Sequence, residues 1–210
     1  MKKIQILIDN PNSWMVPFAS KFLKRLKGKG YNSRIFHSHE EVEKGDLLVL
    51  LSCEKKFNQQ KKNKFNLVIH ASELPRGRGW SPLTYQVLEG KKKIPISIIN
   101  ASEGIDEGDI YLKDYFLLNG YELIDEIREK LVNKIFEMLK DFIKNADKIT
   151  AIKQQGSSSY YSKRKPSDSE LNFDMTLRDN FNLLRVVDNQ RYPAFFYHGG
   201  EKFILKISKE

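Results

Sequence analysis

Two side chains in this sequence could share a proton, His70 and Asp106. His70 closes an aliphatic run, Phe65-Asn66-Leu67-Val68-Ile69-His70, and a loop with Ser72, Pro75, Gly77 and Gly79 follows it. Asp106 sits in an acidic link, Gly104-Ile105-Asp106-Glu107-Gly108-Asp109. An imidazole takes and returns protons near neutral pH, and a carboxylate beside it orients the ring. Taken singly, each has a plainer reading. A strand-end histidine is more often structural, and an acidic loop is usually just solvated. Cys53 could be a nucleophile, but a lone cysteine after an aliphatic strand is more often a small buried residue. His37 and His39 share one segment and could bind metal, but no Cys stands beside them to complete a site. Asn10-Pro11-Asn12-Ser13-Trp14 contains no glycine, so it is not a dinucleotide fingerprint, and nothing matches a phosphate-binding P-loop.

The elements that must carry these residues follow from periodicity. Residues 3–9, 31–36, 46–52, 65–71, 94–100 and 109–118 read as strands; the run 46–52 is aliphatic nearly throughout, as when both faces are covered. A helix capped by Asn12 or Ser13 runs to about Lys27, with Phe18, Phe22, Leu23 and Leu26 at helical spacing. Residues 81–90 read as a short helix with Pro82 in its first turn, and 54–64 as a short helix or exposed loop. The longest helix, 121–145, carries an apolar stripe of Leu123, Ile124, Ile127, Leu131, Ile135, Met138, Leu139 and Phe142. Alternating strands and helices predict an α/β fold, a Rossmann-like open, mostly parallel sheet. After about residue 150 the pattern changes to a polar loop, a helix at about 176–188 and a hairpin turning near Gly199-Gly200. The expected division is a catalytic domain over 1–150 and an extension over 151–210 packing on or beside it. In such a sheet, ligands bind beyond the strand C-termini, which singles out Asn10–Trp14, Ser52–Glu54 and His70–Gly79.

The 210 residues carry 36 Lys and Arg against 27 Asp and Glu, a net charge of +9. That balance suits nucleic acid, an anionic membrane or anionic small molecules, although runs such as Lys61-Lys62-Lys64 and Lys163-Arg164-Lys165 are usually solvated surface. One cysteine makes neither an intrachain disulfide nor a Cys-based zinc cage. No apolar run approaches the ~20 residues of a membrane span, and the stretch after Met1 is too interrupted for a signal peptide. A soluble, cytoplasmic protein that binds no membrane is expected.

The segment His70-Ala71-Ser72-Glu73-Leu74-Pro75-Arg76-Gly77-Arg78-Gly79-Trp80-Ser81-Pro82 closely resembles the His-x-Ser-x-Leu-Pro-x-x-Arg-Gly-x-x-Pro signature of the 10-formyltetrahydrofolate-dependent formyltransferases. Glu103-Gly104-Ile105-Asp106-Glu107-Gly108-Asp109-Ile110 looks like that family's second, acidic signature. Arg164-Lys165-Pro166-Ser167-Asp168-Ser169, Asn182-Leu183-Leu184-Arg185 and Tyr192-Pro193-Ala194-Phe195-Phe196 are similar to the tail of its sugar N-formyltransferase branch. Together with Asn10–Trp14, the pattern looks most like formyltransferases of bacterial surface-sugar pathways, those linked to pseudaminic acid in particular.

The resemblance implies the formyltransferase fold and transfer of a formyl group from 10-formyltetrahydrofolate, leaving tetrahydrofolate, to an amine without a metal. Of the family's catalytic His, Asp and Asn, the first two carry over to His70 and Asp106. The position of the Asn, two residues before His70, holds Val68, which cannot donate to an oxyanion. Ser72 or a loop backbone N–H is the expected replacement. The pterin is expected among Ser52, Cys53, Glu54, Asn100, Ser102, Ile105 and Asp106, with Arg78 either at the cofactor or clamping the loop. Asn10, Asn12, Ser13, Trp14, Trp80, Lys163, Arg164 and Arg185 are the expected substrate contacts, each with a packing or solvated alternative. The expected partner is a small amino sugar, nucleotide-linked or acidic, and no nucleic acid, because the residues after 150 are too few for the RNA-binding domain of methionyl-tRNA formyltransferases. The rival readings are a methionyl-tRNA formyltransferase-like enzyme that formylates aminoacyl-tRNA, and a folate- or nucleotide-sugar-sensing relative with weak turnover. The apolar hairpin Ala194–Ile207 also suggests a homodimer interface.

Overall fold

The computed structural model describes residues 1–59 and 62–210. Strands β1 (Lys3–Leu7), β2 (Asn32–Phe36), β3 (Gly45–Leu50) and β4 (Asn63–His70) pair in parallel, with helix α1 (Val16–Lys27) between β1 and β2. A two-residue strand β5 (Arg78–Gly79) and helix α2 (Pro82–Leu88) follow, then β6 (Lys93–Asn100), β7 (Ile110–Leu117) and the 22-residue helix α3 (Ile124–Asn145). The central sheet has the order β2-β1-β3-β4-β6-β7. β6 is antiparallel to both β4 and β7, so it alone reverses the common direction. After α3 come β8 (Tyr160–Tyr161), helix α4 (Leu177–Val186) and the hairpin β9 (Ala194–His198) and β10 (Glu201–Leu205).

Both sheet faces are covered, which is why β3 is aliphatic from Leu47 to Leu50 and β1 carries Ile4, Ile6 and Leu7. Ile4, Ile6, Leu47, Val49 and Leu67 face a core shared with Phe22, Leu23 and Leu26 of α1 and Ile127, Leu131, Ile135 and Phe142 of α3. Phe22 and Phe136 stack there at 4.3 Å. The opposite face, with Leu7, Leu48 and Leu50, packs against Phe36, Val42, Phe57 and Ala101.

α1 begins later than the sequence suggests. Neither Asn12 nor Ser13 caps it: its N-cap is Met15, with no side-chain cap, while Asn10 Oδ1 accepts from Asn12 N and Ser13 Oγ from Met15 N to shape the turn before it. Residues 54–59 form neither helix nor strand; Lys61 and the centre of the 54–64 segment lie outside the described residues. The strands β5 and β8 carry no sequence signal, since two residues have no period. They pair in parallel, Arg78 with Tyr160 and Gly79 with Tyr161, and bring the segment after residue 150 onto the loop after β4.

Candidate active site

A cleft of ≈ 730 Å³ opens beyond the C-terminal ends of β3 and β4, a size typical of small-molecule sites. His70, the last residue of β4, lines it and is 6 % exposed. Its Nε2 lies 2.8 Å from the Gly77 carbonyl oxygen, and its Nδ1 lies 3.4 Å from Asp106 Oδ2. A carbonyl only accepts, so Nε2 carries a hydrogen in either charge state. In the neutral ring the lone pair is therefore on Nδ1, the nitrogen that faces Asp106. A proton arriving at Nδ1 finds a carboxylate waiting, and both ring N–H groups are then satisfied. The arrangement is a proton acceptor with its counter-ion in place.

Asp106 is held there by its backbone and by its neighbour. Its φ is 53°, and Ser52 and Ser81 have φ of 57° and 48°. These are the non-glycine residues with positive φ among the described residues, and all three line the cleft. Each such conformation costs about 1–3 kcal/mol and persists where its surroundings over-determine it. Gly79 N donates to Asp106 Oδ2 at 2.9 Å. Gly79 itself has φ 91°, and a Cβ there would run into the Tyr161 carbonyl, so this motif glycine answers to both backbone conformation and the close approach of β8.

One wall of the cleft is apolar, made of Leu50, Phe57, Val68 and Ala101. The turn at 52–55 is fixed from beneath: Asp9 accepts from Glu54 N at 2.8 Å and from Lys55 N at 2.8 Å. Cys53 lies in the same turn and donates to Leu7 O, and burial, with the Asp9 charge, pushes its thiol up to about 12. The cysteine is thus a poor nucleophile. Ser52, Glu54, Asn100, Ser102 and Ile105 border the cleft beside it. Val68 occupies its expected place in the lining and offers no donor.

Several expected site residues lie elsewhere. Ser72 is 2 % exposed beneath the loop and is not part of the cleft lining, so its hydroxyl is not presented to a bound ligand. Arg78 turns away to Glu107 and Tyr160, each at 3.0 Å, and clamps the loop. Asn10, Asn12 and Ser13 shape the turn before α1 and leave only Trp14 on the cleft. Arg185 is 2 % exposed, with Nε donating to Glu122 O at 3.0 Å, and joins α4 to the start of α3 instead of meeting a ligand.

Trp80, Lys163 and Arg164 do border the cleft. The Lys163 ammonium sits 4.2 Å over the Trp80 ring and 3.6 Å from Glu54, spanning the mouth. Arg164 Nη2 donates to Asp168 O while its Nη1 is buried without a partner. Sequence reading missed Arg128 and Asp188. Their ion pair at 3.0 Å lines the cleft, with the Arg128 guanidinium 5.0 Å over the Trp14 ring. No local pattern marks Arg128 among the other charged residues of α3; only the fold brings it to Trp14.

No family model matches the chain. The methionyl-tRNA formyltransferase of Ehrlichia canis is 35 % identical over 142 residues, which is 67 % of this chain and 45 % of that protein. The chain spans less than half the length of the curated relatives it matches. The structure of a methionyl-tRNA formyltransferase from Clostridium thermocellum superposes with a TM-score of 0.83 at 26 % identity, covering 100 % of this chain and 94 % of that one. A 4-N formyltransferase from Francisella tularensis superposes with a TM-score of 0.70 at 20 % identity, over 100 % of this chain and 98 % of that one. The full-length match to a tRNA-named structure means that chain length does not separate the two acceptor classes, contrary to the expectation from sequence. In fold, and in sequence over two thirds of its length, the chain is a relative of the formyltransferases.

Proposed function

We propose that this protein transfers a formyl group from 10-formyltetrahydrofolate to the amine of a bacterial surface amino sugar, nucleotide-linked or of the pseudaminic acid type. The observation that carries the reading is the His70–Asp106 pair at the head of the cleft, with Gly77 fixing the tautomer. His70 Nδ1 takes a proton from the attacking amine as the new nitrogen–carbon bond forms. Asp106 stabilises the imidazolium, and the proton returns to the nitrogen that leaves the formyl carbon. The folate supplies the formyl carbon. The apolar wall of Leu50, Phe57, Val68 and Ala101, closed by the turns at 52–54 and 100–106, suits a flat heteroaromatic ring held by backbone groups.

The sugar acceptor is supported by the tail motifs and by the cleft walls. Trp14 and Trp80 each carry a cation on one face, which suits a ring-shaped acceptor bearing phosphate or carboxylate. Formylation of an aminoacyl-tRNA is the second reading, favoured by the Ehrlichia and Clostridium relatives. Purified protein is incubated with 10-formyltetrahydrofolate and, separately, amino-sugar nucleotides, free amino sugars and methionyl-tRNA. The expected outcome is tetrahydrofolate release with one formyl group gained by a sugar. Formylation of methionyl-tRNA alone selects the second reading, and folate binding without turnover on any acceptor overturns both.

A further inference from the structure

Gln154 lies outside the cleft lining, yet its amide is tied on all sides. Nε2 donates to Asp106 O at 2.7 Å and to Gly108 O at 2.8 Å, and Oε1 accepts from Arg78 Nη2 at 2.8 Å. An amide has two N–H donors and one carbonyl, and here each has a partner. The two loops that meet at His70, residues 77–80 and 104–108, are thereby stitched together by one side chain from the segment after α3. The same segment sets the other side of the imidazole: Ser159 Oγ accepts from Gly77 N at 2.9 Å, and Gly77 O is the partner of His70 Nε2.

This explains how Asp106 stays at φ 53°. Relaxation to the ordinary right-handed region would rotate the Asp106 peptide, break the bond from Gln154 and swing the carboxylate off Nδ1. We propose that Gln154 is a positioning residue for the reaction: by donating to the Asp106 and Gly108 carbonyls while accepting from Arg78, it holds the Asp106 carboxylate against His70. The role in turnover rests on the formyl-transfer reading; the geometric role does not.

The test uses Gln154→Leu, which loses all three bonds, and Gln154→Glu, which keeps an acceptor for Arg78 but loses both donors. In each folded variant kcat falls about tenfold to a hundredfold, while KM for folate and for acceptor stays within about threefold. In parallel, protein carrying ¹⁵N-labelled histidine reports the His70 Nδ1 resonance. Asp106→Asn provides the reference displacement, and both Gln154 variants are expected to move the resonance in the same direction. A Gln154→Glu enzyme within twofold of wild-type kcat, or a His70 resonance unmoved in either folded variant, overturns the proposal. If the wild type formylates nothing, the functional reading fails and the resonance measurement still decides the positioning role.

Discussion

Replacing Asp106 with Asn tests the proton-acceptor assignment with little change of shape. The Asn carbonyl oxygen still accepts from Gly79 N, which now reaches Oδ2 at 2.9 Å, so the loop keeps its tie. What disappears is the negative charge 3.4 Å from His70 Nδ1. Both side chains are nearly enclosed, and at an effective dielectric of about 20 a full charge pair at that separation is worth about 5 kcal/mol. A proton about half transferred in the transition state draws on about half of that, or roughly a hundredfold in rate. kcat for formyl transfer is therefore expected to fall about a hundredfold, with KM for both substrates nearly unchanged and the thermal midpoint within a few degrees of wild type. Steady-state release of tetrahydrofolate, followed across acceptor and folate concentrations, separates the two parameters. A folded Asp106→Asn enzyme within threefold of wild-type kcat would refute the charge argument, and with it the assignment of Nδ1 as the acceptor.

Three other outcomes follow from the same geometry. Val68 lines the cleft two residues before His70, so Val68→Asn should raise kcat if a missing donor limits the reaction; about 2.7–4 kcal/mol is typical of one oxyanion donor, and an unchanged or lower rate shows that another group already serves. Burial pushes the Glu122 carboxyl up, but Lys130 and the backbone N–H groups of Asn119 and Gly120 outweigh it and hold it at about 2. Its contribution, about 3 kcal/mol, is fully present above pH 4.5 and is lost as pH falls toward 2; acid unfolding of Glu122→Gln should lack that component. With its thiol pushed up to about 12, Cys53 should alkylate at pH 8 roughly a thousandfold more slowly than an unhindered thiol, and rapid labelling of the native protein would contradict its burial beside Asp9.

The meeting of His70 with Asp106 was readable because the two lie in two short, contiguous motifs whose glycines answer to backbone geometry. Gly79 approaches Tyr161, and Gly108 leaves no room for a Cβ beside the Asn100 carbonyl. The central strands were readable because burial on both faces leaves no polar positions in β1 and β3 except Gln5 and the two strand starts, Lys3 and Asp46. Gln5 is inside because its amide bonds Asn63 and the Glu43 backbone, an arrangement with no signature in the sequence. Reversal of β6 was not legible either, since strand direction depends on where the chain crosses over and not on local pattern. Ser72 and Arg185 were misplaced for a common reason. A hydroxyl or guanidinium in a motif reads the same whether it faces a ligand or a buried partner, and only the fold places Arg185 on Glu122.

The segment after α3 shows why a side-chain pair on one part of a chain need not be held in place there. Ile152 bridges Ile110 at the start of β7, β8 pairs with β5, and the Arg185–Glu122 pair ties α4 to the start of α3 with both side chains almost inaccessible. A cut near residue 150 would strip Gln154 from Asp106, Ser159 from Gly77 and Arg185 from Glu122 in one step. It would also remove Lys163 and Arg164 from the cleft mouth. The residues before and after 150 therefore share one site: the first part supplies the imidazole and carboxylate, and the second fixes the angle at which they meet.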